Sequence, residues 1–390
     1  MPKVSVIIPV YNGSRTIERC VNSLKAQTLK QCEFIFVDDC SSDDTIEKLN
    51  SLTRNDSRFV IHKTDQNRGP GEARKQGICI AKGKYIMFLD ADDTFLPCAC
   101  KTAFNTIYKK NVDIALFGSL PQETGAYSPK ELKALVAYYK IDDKIKGIYN
   151  GKDDCRKLYF TENGFGFNTC LCKKIFSKEL LLKTVNQLHF DKCMGFGEDL
   201  YHLIVIMSKA TSLYANNQKI IHNYYIGDGV TQIKQNSTTL KKHQRVITSA
   251  CTFNAIKEFV ESSDRGTKEQ AIALMYAKRE LLSNTQKILW CLSDTDLVIG
   301  ITMLKEAWGN DYLLDLPLID NSERFDKFIF RNSNTPESIK KDISNILPTL
   351  LVNITQKLKK EAESYKKSFS YRLGNMIIAP FYWLYSLFHK

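Results

Sequence analysis

Asp90 and Asp92 stand one residue apart at the end of the apolar run Tyr85-Ile86-Met87-Phe88-Leu89, with Ala91 between them and Asp93 following. Side chains alternate along an extended chain, so a D-x-D in this place projects both carboxylates the same way. Hard divalent cations take oxygen ligands and often combine one or two carboxylates with substrate phosphates. Such an ion, Mn²⁺ or Mg²⁺, neutralises charge that builds on a diphosphate leaving group. The blander account is an acidic turn, because aspartate favours turns and D-x-D arises by chance. Two other polar clusters weigh against that account, since they close apolar runs in the same manner. Pro9-Val10-Tyr11-Asn12 follows the first run and Asp38-Asp39-Cys40-Ser41 the second.

Asp39 offers carboxylate oxygens that can accept a hydrogen bond from a base N–H. Capping of the next helix is its alternative role, but Ser41, Ser42 or Asp43 serve that purpose equally well. Arg74 follows the turn Asn67-Arg68-Gly69-Pro70-Gly71 and can pair with a phosphate or with the aspartates, or simply lie on a solvated face.

The elements that must position these residues are legible from periodicity. Val4 to Ile8, Phe34 to Val37, Phe59 to Ile61, Tyr85 to Leu89 and Val112 to Phe117 are near-continuous apolar runs. Between them lie segments with helical spacing, such as Ile17, Val21 and Leu24, or Ala73, Gly77, Ile78 and Ala81. Apolar strands alternating with amphipathic helices predict an α/β, Rossmann-like domain with a mostly parallel central sheet covered on both faces. In such a sheet ligands bind beyond the carboxyl ends of the strands, where these polar clusters fall. From about Lys241 the texture turns helical: Val246, Ala250, Phe253, Ile256 and Phe259, then Ala273, Tyr276, Leu281 and Leu282. Leu351, Ile354 and Leu358 begin a basic helix toward the end of the chain, suited to pairing with a copy of itself in a homo-oligomer. The expected division is the α/β domain over 1–235, a helical domain over 236–347, and a basic helix with an apolar tail over 348–390.

Composition narrows the partners. The chain has 390 residues, enough for two domains at roughly 100–200 residues each. With 43% hydrophobic and 25% charged residues, wholesale disorder is excluded. The net charge of +12 attracts polyanions. Much of the excess lies late, at Lys357, Lys359, Lys360, Lys366, Lys367 and Arg372, beside apolar residues. That placement favours an anionic membrane surface over nucleic acid, for which no motif is present. The segment Met376 to Phe388 is strongly apolar and aromatic, is shorter than the ~20 residues a bilayer span requires, and contains Pro380. It fits an interfacial anchor, with a terminal helix docked on protein as the alternative. The twelve cysteines lack zinc-ribbon spacing and read as reduced thiols. A strand begins at Val4 with no secretory segment before it, so the expected location is the cytoplasm, at the inner face of the membrane.

Taken together, Val4-Ser5-Val6-Ile7-Ile8-Pro9-Val10-Tyr11-Asn12, then Phe36-Val37-Asp38-Asp39 with Ser41, Ser42 and Asp44, then Asn67-x-Gly69, then Tyr85-x-x-Phe88-Leu89-Asp90-Ala91-Asp92-Asp93, resemble glycosyltransferase family 2. The resemblance is dense over about residues 1–120 and continues more weakly through Gly197-Glu198-Asp199-Leu200 to about residue 231. It implies the GT-A fold and an inverting, metal-dependent transfer of a sugar from a nucleotide diphosphate donor. On this resemblance Pro9, Tyr11, Asn12 and Asp39 contact the nucleoside, Asp39 reading a uracil ring of a UDP-sugar. Asn67 and Ala91 belong to the same donor-binding motifs, and Arg74 lies near the diphosphate. Asp90 faces ribose and metal, and Asp92 is the main metal ligand. Asp199 is the general base that takes the proton of the acceptor hydroxyl, with Glu198 orienting acceptor or base. Glu198 and Asp199 also suit a helix N-terminus, a reading compatible with catalysis. Similar tails occur on bacterial enzymes that build surface polysaccharide, which implies a glycan or lipid-linked acceptor.

Two departures stand out. Many relatives carry Tyr-Tyr-x-Arg ending in Ser-x-Thr, whereas His222-Asn223-Tyr224-Tyr225-Ile226-Gly227-Asp228-Gly229-Val230-Thr231 lacks the arginine. Stabilisation of the diphosphate then falls to His222, Lys219 or Lys234, and His222 is also a candidate to complete the metal shell or to be structural. Where relatives often show a tryptophan in the acceptor segment, this chain has Phe167-Asn168-Thr169-Cys170. Two competing readings remain. A sugar nucleotidyltransferase needs a glycine-rich, arginine-containing loop after the first strand, and only Gly13 is there. A degenerate scaffold that binds nucleotide-sugar or glycan is opposed by the intact Asp39, Asp90, Asp92 and Asp199.

Overall fold

A computed structural model describes residues 1–123, 146–157, 169–190, 194–226, 239–263, 267–289, 292–309, 337–339 and 341–342. The chain forms two compact units, 1–288 and 289–390.

In the first unit each apolar run becomes a strand, and each amphipathic segment in the first 110 residues a helix. The order is β1 (Val4–Val10), α1 (Ile17–Lys25), β2 (Cys32–Asp38), α2 (Thr45–Thr53), β3 (Phe59–Lys63), α3 (Pro70–Ile80), β4 (Tyr85–Phe88), β5 (Thr94–Phe95) and α4 (Ala99–Lys110). Then come β6 (Ile114–Glu123), β7 (Lys146–Asn150), α5 (Lys152–Lys157), β8 (Lys174–Ser177), α6 (Lys178–Thr184), α7 (Glu198–Met207), β9 (Ser212–Ile226), α8 (Thr239–Glu261) and α9 (Thr267–Leu289).

The sheet runs β3-β2-β1-β4-β8-β6-β9-β5, with β7 also pairing to β9. β1 pairs in parallel with β2 and with β4, and β2 pairs in parallel with β3. The helical crossovers leave no other direction open to these strands. Beyond β4 the sheet turns mixed: β8 is antiparallel to β4 and β6, while β6 and β9 are parallel. Chain order therefore switches on either side of β1, and the carboxyl ends of β1, β2 and β4 share one edge.

Both faces of this sheet are covered. One core joins Val4, Val6 and Ile8 to Val21 and Leu24 of α1, Leu49 of α2 and Ala103 and Ile107 of α4. The other joins Ile7, Ile35, Val37, Ile86 and Phe88 to Ala73 and Ile78 of α3, Leu181 of α6 and Leu203 and Ile206 of α7. Alternate residues of one strand thus face opposite layers, which is why the runs read as continuously apolar. At roughly 1.5–3 kcal/mol per buried aliphatic or aromatic side chain, these two layers dominate the stability of the sheet. α3 approaches closely because of Gly77, where an added Cβ would lie 2.3 Å from Ile7 Cγ2.

The expected helical texture after Lys241 appears as α8 and α9. The second unit holds α10 (Asp294–Trp308), capped by Ser293, whose hydroxyl accepts from the Asp296 amide. Lys305 pairs with Asp342 there at 2.8 Å. Among the described residues no helix is long and apolar enough to cross a membrane. The basic helix and apolar tail over 348–390, Phe167, Asn168 and the segment 227–238 with Lys234 lie outside the described residues. The ten described cysteines, Cys20 through Cys251, are free thiols.

Candidate active site

The shared strand edge gathers the residues singled out by spacing. Pro9 lies within β1, and the chain leaves that strand at Tyr11, which is 47% exposed, and at Asn12. Asn12 sits at φ 49° and is tied to the next loop, its N–H donating to Ser41 Oγ at 2.9 Å and its Oδ1 accepting from the Ser42 amide at 2.8 Å. The left-handed backbone that asparagine tolerates thus joins the loops after β1 and β2.

Asp39 does not cap the helix that follows it. Its carboxylate accepts from the backbone N–H of Arg68 (3.0 Å) and Gly69 (2.6 Å) and from Thr64 Oγ1 (3.2 Å), and the residue is only 2% exposed. Asp43 instead accepts from the Thr45 amide at the start of α2. Asp39 is therefore a buried, oriented acceptor at the end of β2, held by the turn before α3. Asn67 lies exposed in that turn.

Arg74 reaches from α3 into the centre, with 2% exposure. Its Nη2 donates to Asp90 Oδ1 at 2.8 Å. Nη1 lies 2.8 Å from Asp199 Oδ1 and 3.5 Å from Glu198 Oε1. The Asp199 contact falls off the hydrogen-bond axis, and Arg74 Nε finds no partner among the described residues. Burial alone would lower the guanidinium's pKa, but Asp199, Asp90 and Glu198 hold it well above its ordinary value. One cation therefore joins the D-x-D at the end of β4 to the acid pair that opens α7, a solvated face being ruled out by its burial. Burial also pushes Asp199 far above the carboxylate range, against the pull of Arg74 and with Glu198 and Asp90 adding to the rise.

The D-x-D turn itself is tight, with the Asp93 amide donating to the Asp90 carbonyl at 3.0 Å. Carboxylate oxygens of Asp90, Asp92 and Asp93 come within 4.8 Å of one another. Burial, then Asp93 and Asp90, push Asp92 up to about 8. An oxygen-rich cluster with such an excess of negative charge, beside a one-third-exposed Asp90, fits a hard divalent cation. Ala91 is half-buried in the same turn.

His222 sits behind this turn, fully buried, its Nε2 2.9 Å from Asp93 Oδ2 and its Nδ1 2.8 Å from Ser119 Oγ. Burial would lower the imidazole's pKa, but Asp93 holds it above its ordinary value. The ring thus meets Asp93 directly, and Cys172 stands in the same cluster. Asp93 Oδ1 also accepts from the Tyr225 amide at 2.8 Å, anchoring β9 to the turn.

Spacing alone missed three groups here. Arg19 of α1 donates through Nε to the Asp92 carbonyl at 3.0 Å and stacks over Tyr225 at 4.0 Å. The Asp93–His222 pair joins positions 129 residues apart. Arg245 of α8 stacks on Phe196, next to the acid pair. None has a local signature, since helical periodicity identifies the apolar face and says nothing about a long cation beside it.

Known proteins show the same pattern. The model for "Glycosyl transferase family 2" matches residues 5–163. A poly(ribitol-phosphate) beta-glucosyltransferase of Bacillus spizizenii is 38% identical over 133 residues, 33% of this chain and 21% of that one. Glycosyltransferase GlyG of Streptococcus pneumoniae is 30% identical over 229 residues, 55% of this chain and 68% of that one. The chain thus spans about a fifth of the first relative's length and two-thirds of the second's. The crystal structure of S. aureus TarS 1-349 superposes with a TM-score of 0.52 at 17% identity, covering 80% of this chain and 90% of that one, and the same protein is known in complex with UDP. That likeness carries the fold, a GT-A sheet followed by a helical region. With the family model matching its first strands and loops and GlyG covered over two-thirds of its length, the chain belongs to glycosyl transferase family 2.

Proposed function

We propose that the chain is an inverting, metal-dependent glycosyltransferase that moves a sugar from a nucleotide diphosphate donor, a UDP-sugar foremost, to an acceptor hydroxyl of a cell-surface glycan or lipid-linked oligosaccharide. The observation that carries this reading is Arg74, which holds the D-x-D and the Glu198–Asp199 pair on one guanidinium. Donor-side and acceptor-side carboxylates then flank a single reaction centre.

In this reading the nucleoside lies at the edge of β1 and β2, over Tyr11 and against Pro9, Asn12 and Asp39, with Asn67 in the neighbouring turn. Asp39, already fixed by two backbone amides, presents its remaining lone pairs to a base N–H. Asp92 and Asp90 hold Mn²⁺ or Mg²⁺, which neutralises diphosphate charge when bound. His222 supports that turn through Asp93, and it is the candidate to complete the ion's shell once Nε2 gives up its proton and its contact with Asp93. Asp199 takes the proton of the acceptor hydroxyl as its oxygen attacks the anomeric carbon opposite the departing diphosphate, and Glu198 orients acceptor and base. Residues 1–235 carry this chemistry, 236–347 form a helical domain, and the basic helix and tail over 348–390 meet an anionic membrane from the cytoplasmic side or pair with a second copy. UDP in the TarS complex and the glucosyltransferase name of the Bacillus relative support the donor class.

Calorimetry with UDP, GDP and CDP, each with and without Mn²⁺, tests the reading. UDP should bind with metal and lose most of its affinity without it. Preference for GDP or CDP would overturn the role of Asp39, and binding without turnover of any UDP-sugar would favour a scaffold. The ion's affinity should also depend on pH in a set direction. With Asp92 pushed up to about 8 by burial and its neighbouring aspartates, ion uptake below that value displaces a proton. Apparent Mn²⁺ affinity should tighten about tenfold per pH unit as pH rises toward 8, then level off. A flat profile from about pH 6 to 8 would mean that ion uptake displaces no proton from Asp92 in that range.

A further inference from the structure

The helical region after the sheet reaches back to the loop that carries the acid pair. Phe196 precedes Gly197, Glu198 and Asp199, and the Arg245 guanidinium carbon lies 3.5 Å from the centre of its ring. Thr252, two turns further along α8, donates its hydroxyl to the Phe196 carbonyl at 2.7 Å, shared with the Thr248 carbonyl at 3.0 Å. Gly195 packs on Thr248, where an added Cβ would sit 3.4 Å from Cγ2. On the other side Gly197 holds φ +84°, and Leu281 of α9 closes over it so tightly that a Cβ would lie 2.3 Å from its Cδ2. The ring, the carbonyl and both flanking glycines of this one loop are thus all in the grasp of α8 and α9.

Such a grip answers a local deficiency. α7 begins at Glu198 with a left-handed Gly197 at its cap and no side-chain hydrogen bond to its first amides. Glycine on both sides of Phe196 gives the segment wide backbone freedom. Among the described residues of the loop no side chain caps the start of α7, and Arg74 meets Glu198 and Asp199 only at their carboxylates, while proton transfer depends on placement to a fraction of an ångström.

We propose that Arg245 and Thr252 are positioning residues, which clamp Phe196 and thereby set where Glu198 and Asp199 point. This rests on the reading of Asp199 as general base. It gives α8 a part in catalysis although it lies outside the sheet that binds the donor, and makes the planar face of Arg245, beyond its charge, the working feature.

Arg245→Met, Arg245→Lys and the near-isosteric Thr252→Val should be compared in the full-length protein with Asp199→Asn. Hydrogen exchange over the peptide spanning 194–201 reports the clamp directly, and UDP release from UDP-glucose and UDP-N-acetylglucosamine reports turnover. In Arg245→Met and Thr252→Val, exchange of that peptide should rise about tenfold, with β1 and β4 unchanged. Their kcat should fall about tenfold with the Kd for UDP in Mn²⁺ unaltered, and Arg245→Lys should recover only part of the loss. Parent-like exchange in the peptide, or full recovery by lysine, would overturn the clamp. If exchange rises while Asp199→Asn still turns over, the clamp stands and the assignment of the base falls.

Discussion

With Asp199 as the proposed base, Asp199→Asn should lower sugar transfer by about a thousandfold or more while leaving UDP binding in Mn²⁺ intact, because general-base catalysis supplies up to about 10⁴ in rate and the proposed donor site lies on the other side of Arg74. Asparagine keeps the shape of the side chain and removes its basicity. Arg74 would retain Asp90 at 2.8 Å and Glu198 at 3.5 Å, so the guanidinium stays paired and the fold should persist. The parent's pH profile carries a second signature. Asp199 is raised above the carboxylate range by burial, and a base works only when deprotonated. The rate should therefore climb with pH over a window above that of an exposed aspartate, and the climb should be missing from the residual activity of the variant. Single-turnover UDP release across pH measures both effects. Parent-like transfer by Asp199→Asn would move the proton to another group, with Glu198 the first to try.

Much of this site could be read from the chain because the motifs sit at strand ends, where strand direction alone brings them together. Apolar runs at Val4, Phe34 and Tyr85 made parallel neighbours, and the polar residues after them had nowhere to go but one edge. The second half of the sheet was harder to foresee. β8 and β9 pair antiparallel and parallel with partners set by tertiary packing, and the long β6–β9 ladder slips register around Gly118. Local pattern cannot reveal such slips, since a bulge removes the alternation that pairing arguments use. Side-chain partnership was legible only in part. Arg74 read as a phosphate partner, an aspartate partner or a solvated cation, and its burial beneath three carboxylates removes the last of these. His222 stood out as a lone histidine, yet its partner, Asp93, read as one more acid in a turn. Buried pairs between distant positions leave no periodicity to detect.

Arg74→Met should be the most destabilising single change at the site. It preserves much of the side-chain volume and removes the only charge that Asp90, Glu198 and Asp199 are shown to share. Removing one partner of a buried ion pair costs about 3–5 kcal/mol, because the charges left behind remain desolvated. In a unit of this size that corresponds to a fall in Tm of roughly 6–15 °C. The loss should have a definite pH dependence. Without the guanidinium the three acids repel one another in a desolvated space, so their folded-state pKa values lie above those of the unfolded chain. Groups shifted in that direction weaken the folded state once pH exceeds the unfolded pKa, and the penalty disappears as they take up protons. The gap in Tm between parent and variant should be widest near neutral pH and narrow steadily toward about pH 5. Arg74→Lys, which keeps a charge but cannot fork between β4 and α7, should fall between the two. Thermal melts at a series of pH values decide the matter. A gap that stays constant with pH would mean that methionine costs packing alone, and that the acid cluster stands without its cation.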